Sequence, residues 1–280
     1  MTLEIQDTND ITVPYTAWFF YGKMGSGKTR AAATFPHPLF IVPANENSQL
    51  SLKGLGLKYV ICGKRKNGQV VPVRQHLNEI LTDLERMHAA MLVELSKASK
   101  AASEEEAELH YAAADAAFPY QTIVLESLSH LGDLLVEDVS AYGQKKMDQQ
   151  GWGAISTFLR SVHSRLRNMQ INIVYTALDK TQESESGGVV QGGPNMIGSA
   201  ADKFPSGCDC VVYMETVRPI TKGGPFVYRA HLRAHSFFQA RTRFQSLPHE
   251  IDDFNFMRIA PLLEVNVVGA PPAEPESSLP

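Results

Sequence analysis

The first patterned stretch is a wholly apolar run, Trp18-Phe19-Phe20-Tyr21, followed by a glycine-rich turn and then Thr29-Arg30-Ala31-Ala32-Ala33-Thr34. A short apolar run closed by turn residues reads as a strand buried on both faces, and the alanines after the turn read as the start of a helix. Pro38-Leu39-Phe40-Ile41-Val42, ended by Pro43, predicts a second strand, and Lys58-Tyr59-Val60-Ile61-Cys62 a third. A basic turn or hairpin with Lys64, Arg65 and Lys66 lies between Gly63 and Pro72. From 75 to 117 the period changes: Leu77, Ile80, Leu81, Leu84, Met87, Met91, Leu92 and Leu95 recur at helical spacing, ahead of an alanine-rich stretch with Glu104, Glu105, Glu106 and Glu108. The pattern predicts a helical hairpin inserted into the fold, its acidic cluster a solvated face.

Strand and helix then alternate again. Thr122-Ile123-Val124-Leu125 is a strand ending in Glu126, a helix follows to about Tyr142, and 143–151 is a polar loop. Trp152, Ile155, Leu159, Val162, Leu166 and Met169 form one stripe of the next helix, with Arg160, Arg165 and Arg167 off it. Ile171 to Thr176 is another central strand, and 179–195 reads as a long, polar, glycine-rich loop of the kind that carries function. In the last third, Asp209–Glu215 and Phe226–Ala234 predict strands joined around Gly223-Gly224-Pro225. In the second, Phe226, Tyr228, Ala230, Leu232 and Ala234 oppose Arg229, His231, Arg233 and His235, the alternation of a strand buried on one side. The fold class is α/β: a mostly parallel sheet flanked by helices, with a helical insertion and a β-rich C-terminal part. A single domain is expected over 1–265, and the Pro-, Ser- and Glu-rich 266–280 as a disordered tail.

Composition narrows the functions open to such a fold. With 44% hydrophobic residues the chain can bury one sizeable core. A net charge of −4 excludes a surface that binds duplex DNA over its whole extent, so any nucleic-acid contact is local. Cys62, Cys208 and Cys210 form no ligand array, and Cys208-Asp209-Cys210 alternates across a strand, which favours packing over zinc. The N-terminus, Met1 to Asp10, is polar and acidic rather than a signal peptide, and no apolar run reaches membrane-spanning length, so a cytoplasmic protein without membrane contact is expected.

The glycine-rich turn carries the strongest chemistry. Gly22-Lys23-Met24-Gly25-Ser26-Gly27-Lys28-Thr29 fits G-x-x-x-x-G-K-[ST] between a strand and a helix, and Arg30 follows it. In that pattern backbone amides cradle the phosphates of a nucleotide such as ATP, Lys28 reaches the β- and γ-phosphates, and Thr29 holds Mg²⁺. The alternative is a turn that only ends a strand. Phosphoryl transfer also needs a second acid near the metal and a group that polarises water. Glu126 suits the first, or caps the following helix; Glu46 suits the second, or is a loop acid on the surface.

Beyond these motifs the chain resembles RecA-type recombinases, and more closely the small phage-encoded RecA-core ATPases of single-strand annealing. Ile123-Val124-Leu125-Glu126-Ser127-Leu128 is similar to their second nucleotide motif, an acid followed by serine. Trp152-Gly153 opening a helix, and Pro194-Asn195-Met196-Ile197-Gly198 leading to a helix and the strand from Asp209, fit the same group. Ala240-Arg241-Thr242-Arg243-Phe244 is similar to the Lys-Asn-Arg-Phe-Gly element of RadA-like proteins. The resemblance, over roughly 15–250, implies a RecA-like P-loop core that hydrolyses ATP with Mg²⁺. It implies Glu126 beside the metal, Glu46 activating water, and Arg241 and Arg243 as cations reaching a neighbouring subunit's ATP in a ring or filament. Glutamate stands where that family usually has aspartate, and Arg241 where it has lysine.

The same resemblance implies single-stranded DNA as partner, with a single-strand-binding protein beside it, in phage recombination, annealing or repair. The loops that would meet DNA are 143–151, with Lys145 and Lys146, and 179–195, with Lys180; neither pairs its basic residues with aromatics. Arg229 and Arg233 form a competing basic face. The other functions open to the sequence are a small-molecule kinase, a helicase-loading or packaging ATPase, and a nucleotide-binding interaction protein without turnover.

Overall fold

The computed structural model of the protein describes residues 15–65, 67–141, 143–183, 189–198, 200–218, 225–235 and 237–263. Its central strand, β1 (Ala17–Gly22), is buried at every position. Side chains alternate across a strand, so β1 feeds two cores: Phe19 and Tyr21 enter one, Trp18 and Phe20 the other. Parallel neighbours flank it, β5 (Asn172–Glu183) on one side and β7 (Cys210–Val217) on the other. Beyond β5 the sheet stays parallel through β4 (Thr122–Leu125), β2 (Pro38–Pro43) and β3 (Lys58–Cys62). Beyond β7 it is antiparallel, with β8 (Val227–His231) and then β10 (Glu250–Asp252), while β9 (Arg241–Thr242) pairs with the start of β7.

Parallel neighbours require crossovers, and helices supply them on the first face. There α2 (Val73–Ala98), α4 (Leu128–Val139), α5 (Gln149–Asn168) and α6 (Ala200–Ser206) contribute Leu77, Leu81, Leu131, Leu135, Leu159, Val162 and Phe204. The second face has the short α1 (Lys28–Ala32) and a C-terminal wrap that includes α7 (Phe256–Ile259). In it, Leu232, Leu247, Phe254, Phe256 and Leu263 cover Trp18 and Phe20. Phe35 stacks on Phe256 at 4.0 Å and Trp18 meets Phe254 edge-on at 5.4 Å, aromatic geometries that add to the area they bury.

The expected α/β class is what the sheet shows, and five details differ from expectation. The segment 179–195 is a β-hairpin, not a loop: β5 pairs antiparallel with β6 (Val189–Pro194), Lys180 opposite Gly193 and Glu183 opposite Val189. Gly192 marks a close approach of backbones, for it donates its N–H to the Phe237 carbonyl at 2.8 Å. The helical pair of 75–117 is α2 and α3 (Glu104–Ala117), but α2 is no appendage. Its stripe Val73, Leu77, Leu81 and Leu84 lies in the main core, and only α3, with Ala114 its sole buried residue, is peripheral.

The buried stripe of α5 starts at Ile155, a turn later than expected, because Trp152 is 39% exposed. Asp148 caps this helix by accepting from the Gly151 N–H at 2.7 Å, so 149–151 are helical. β8 is not a one-sided edge strand either. It is covered by β10, and His231 is buried between Glu215 (2.7 Å) and Glu250 (3.1 Å). Arg229, proposed for DNA, is committed to Asp252 (2.7 Å) and Glu250 (3.3 Å). Met1–Asp10, the turn at Gly223-Gly224 and the tail 266–280 lie outside the described residues. No helix among the described residues is long and apolar enough to cross a membrane.

Candidate nucleotide site

The P-loop leaves β1 at Gly22 and delivers Lys28 as the first residue of α1. Two of its glycines are required by space. A Cβ on Gly22 would lie 2.1 Å from the Met214 carbonyl oxygen of β7. Gly27 has φ +87°, and a Cβ there would lie 2.7 Å from the Tyr228 ring, which packs directly on the loop. Thr216 ties the loop to β7 by donating to the Gly25 carbonyl at 3.0 Å.

Two carboxylates face this loop. Glu126, directly after β4 and 3% exposed, accepts the Thr29 hydroxyl on Oε1 at 2.9 Å. Its Oε2 is buried and has no hydrogen-bond partner. The Glu126–Ser127 peptide is cis. Glu46, on the turn after β2, places Oε2 at 3.0 Å from the Ser127 N–H, 3.2 Å from the Ser127 hydroxyl and 3.0 Å from His130 Nδ1. Together the P-loop, residues 45–48, Ser51, Glu126, Ser127, His130, Leu178 and Tyr228 enclose a cavity of about 490 Å³. A larger open hollow of about 820 Å³ beside Arg74, Asn78 and Asp138 has no comparable set of groups, and we assign it no chemistry.

Charge in the cavity is poised. Burial pushes the Glu126 carboxyl up to about 7, with Glu46 adding to the rise and Thr29 and Lys28 opposing it. Burial likewise lowers the pKa of Lys28, while Glu126, Glu46 and Asp179 work to raise it. The Lys28 ammonium donates to the carbonyls of Gly22 (2.9 Å) and Lys23 (2.8 Å).

An orphaned carboxylate oxygen beside a threonine hydroxyl fits a hard, oxygen-seeking cation. Thr29 and Glu126 are therefore the residues that would hold Mg²⁺, which when bound neutralises charge on the β- and γ-phosphates. Among the described residues no cluster of three His, Cys, Asp or Glu side chains could cage a metal.

The AAA_24 family, described as an AAA domain, matches residues 16–244. The chain belongs to this family. No curated protein sequence matches the chain. Among solved structures, a KaiC-like protein from the hyperthermophilic archaeon Pyrococcus horikoshii OT3 is similar at 12% identity and a TM-score of 0.39, over 78% of each chain.

Membership of the AAA domain family marks the chain as a P-loop ATPase domain, and the remaining candidates can be placed against the cavity at its P-loop. Glu46, Glu126, Lys28 and Thr29 converge on the cavity. Arg241 and Arg243 do not. β9 pairs with the start of β7, at Cys210 and Val211, whereas the P-loop lies beside Met214 near its other end. Arg241 is no free cation: its Nη2 lies within 2.7–3.1 Å of the Pro205, Ser206 and Cys208 carbonyls, where an arginine satisfies the end of α6. Arg243 is exposed and only loosely tied to Asp209, at 3.8 Å. Lys145 and Lys146 are exposed between α4 and α5, and Lys180 on the hairpin. Sequence reasoning missed His130 and Tyr228 as cavity residues. His130 had a local signal, three positions after Ser127 at a helix start; Tyr228 had none.

Proposed function

We propose that this AAA-family domain binds ATP with Mg²⁺, hydrolyses it as a RecA-like core assembled with copies of itself, and acts on single-stranded DNA. The orphaned Glu126 Oε2 beside Thr29, at the foot of the P-loop, carries the nucleotide part. There Lys28 leaves the loop carbonyls to meet the β- and γ-phosphates, and Glu46 polarises the attacking water through Oε1.

Assembly is supported by Arg243, 59% exposed at the end of the sheet opposite the P-loop. In a head-to-tail array that end faces a neighbour's ATP, and an arginine there adds to the positive charge that Lys28 and Arg30 bring to the cavity. The single-strand part is supported by the exposed Lys145, Lys146 and Lys180, and by Phe237, 55% exposed, whose carbonyl accepts from Gly192 of the hairpin. Of these cations, Lys180 pairs with Gly193, next to the Gly192–Phe237 contact, and a cation near an exposed ring suits backbone contact with base stacking. The matching setting is phage recombination, annealing or repair, with a single-strand-binding protein as partner.

Measuring ATP hydrolysis with and without Mg²⁺ and single-stranded oligonucleotide tests this. Turnover that needs Mg²⁺, rises with oligonucleotide and vanishes in Lys28→Ala is expected. Nucleotide binding that survives Lys28→Ala, or turnover indifferent to DNA, rejects it.

A further inference from the structure

Ser127 is the N-cap residue of α4, yet its side chain makes no cap hydrogen bond to the helix. His130 occupies the third helical position, where a capping box normally has a glutamate or glutamine reaching back to the cap N–H. Here the Ser127 N–H is taken instead by Glu46 from the turn after β2, at 3.0 Å. His130 reaches back with Nδ1, to the Ser127 Oγ at 2.8 Å and to Glu46 Oε2 at 3.0 Å. Asn45 adds a tie between the same two elements, its side chain donating to the His130 carbonyl at 3.3 Å. The helix cap has been turned into a clamp on an acid from the turn after β2.

Glu46 Oε2 accepts from both the Ser127 N–H and the Ser127 hydroxyl; with that hydroxyl proton committed to Glu46, the Ser127 Oγ is left to accept from Nδ1–H of His130, whose Nδ1 also lies 3.0 Å from the same Glu46 oxygen. Glu46 Oε1 has no hydrogen-bond partner among the described residues. A carboxylate fixed through one oxygen offers the other in a set direction, which is what a group that orients water needs. The arrangement is not a serine nucleophile triad. That design uses the two ring nitrogens for the two partners, whereas here serine and acid share Nδ1, and Ser127 is buried.

We propose that His130 is a positioning residue for ATP hydrolysis: as the Nδ1–H tautomer it locks Glu46 in the orientation that activates water. The proposal rests on the hydrolytic reading above and deepens it. Asparagine can place an amide N–H where Nδ1–H stands, and alanine cannot, so the pair separates clamping from mere filling of space.

Steady-state hydrolysis and calorimetric ATP binding are measured for the full chain with Mg²⁺ and oligonucleotide, in the wild type, His130→Ala, His130→Asn, Glu46→Gln and the His130→Ala/Glu46→Gln double variant. His130→Ala is expected to lower kcat about tenfold or more, within the range for a misplaced acid–base group, with ATP affinity within twofold of wild type. His130→Asn recovers most of the loss, and the double variant is no slower than Glu46→Gln alone. Unchanged kcat in His130→Ala, equal losses in the alanine and asparagine variants, or additive losses in the double variant overturn the clamp while leaving ATP hydrolysis standing. A wild type that binds ATP but never turns it over overturns both readings. Without nucleotide, imidazole ¹⁵N shifts are expected to show His130 as the Nδ1–H tautomer, and Glu46→Ala to shift the balance towards Nε2–H; an Nε2–H ring in the wild type also overturns the clamp.

Discussion

Thr29 donates its hydroxyl to Glu126 across 2.9 Å, although β5 separates the strands that deliver them. The contact leaves one Glu126 oxygen bonded and the other without a partner in a buried place. Such an atom is costly to leave unmade, so its natural complement is a cation. Thr29→Ala should therefore remove about tenfold or more of the ATP affinity measured with Mg²⁺ and almost none of that measured in EDTA, while Thr29→Ser keeps both. Calorimetric titrations of the three proteins decide it; an equal loss in EDTA would assign Thr29 to phosphate or fold instead of metal.

The same burial makes stability depend on pH. In the unfolded chain Glu126 ionises at an ordinary carboxyl value, near 4.5, but in the fold at about 7. Between those values the folded state holds a proton that the unfolded state has lost, so stability falls as pH rises through this window and levels off above it. Glu126→Gln has no proton to lose. The melting temperature of the variant minus that of wild type, without nucleotide or metal, is expected to increase from pH 4.5 to 7 and then stay flat. The free-energy change is on the order of 1–3 kcal/mol. A difference that is constant, or that shrinks with pH, is incompatible with a desolvated carboxyl.

The legible and illegible parts of the site divide by range. The P-loop is contiguous, and Glu126 ends an apolar run, so local pattern alone places Lys28, Thr29 and Glu126 in one chemistry. Whether Glu46 is a site acid or a loop acid depends on Ser127 and His130, which lie one crossover and two helices further along the chain. The hairpin 179–195 escaped notice because glycines depress strand propensity. What holds it is a backbone contact with Phe237, which no local pattern contains. The cover that Leu232 to Leu263 lays over Trp18 and Phe20 was likewise hidden, since strand alternation reports that a face is buried and not what buries it.

Tyr228 shows how tightly such distant parts are coupled to the loop. Its ring occupies the place a Cβ on Gly27 would need, and Gly27 is in the left-handed region besides. Gly27→Ala meets both penalties, together about 2 kcal/mol or more. Adding Tyr228→Ala relieves the collision but not the dihedral, so the double variant should recover less than the whole loss after correction for Tyr228→Ala alone. Urea unfolding of the four proteins in a double-mutant cycle checks this; strict additivity would show that ring and loop do not press on each other.

Arg241 and Arg243 stand two residues apart with opposite expected effects. The Arg241 guanidinium satisfies carbonyls at the end of α6, so Arg241→Ala leaves them short of a donor and should destabilise the isolated domain by about 1–3 kcal/mol. The Arg243 side chain is mostly exposed and its ion pair with Asp209 is long, while its backbone bond to the Asp209 carbonyl survives truncation, so Arg243→Ala should leave unfolding within about 0.5 kcal/mol of wild type. If Arg243 serves a neighbour's site, its loss appears instead as slower turnover at protein concentrations where copies assemble, with ATP affinity retained. Mixing Arg243→Ala with Lys28→Ala subunits sharpens the test. Each variant lacks what the other supplies, so mixed assemblies should regain turnover that neither has alone. Mixtures no more active than the sum of their parts would confine Arg243 to the surface of its own subunit.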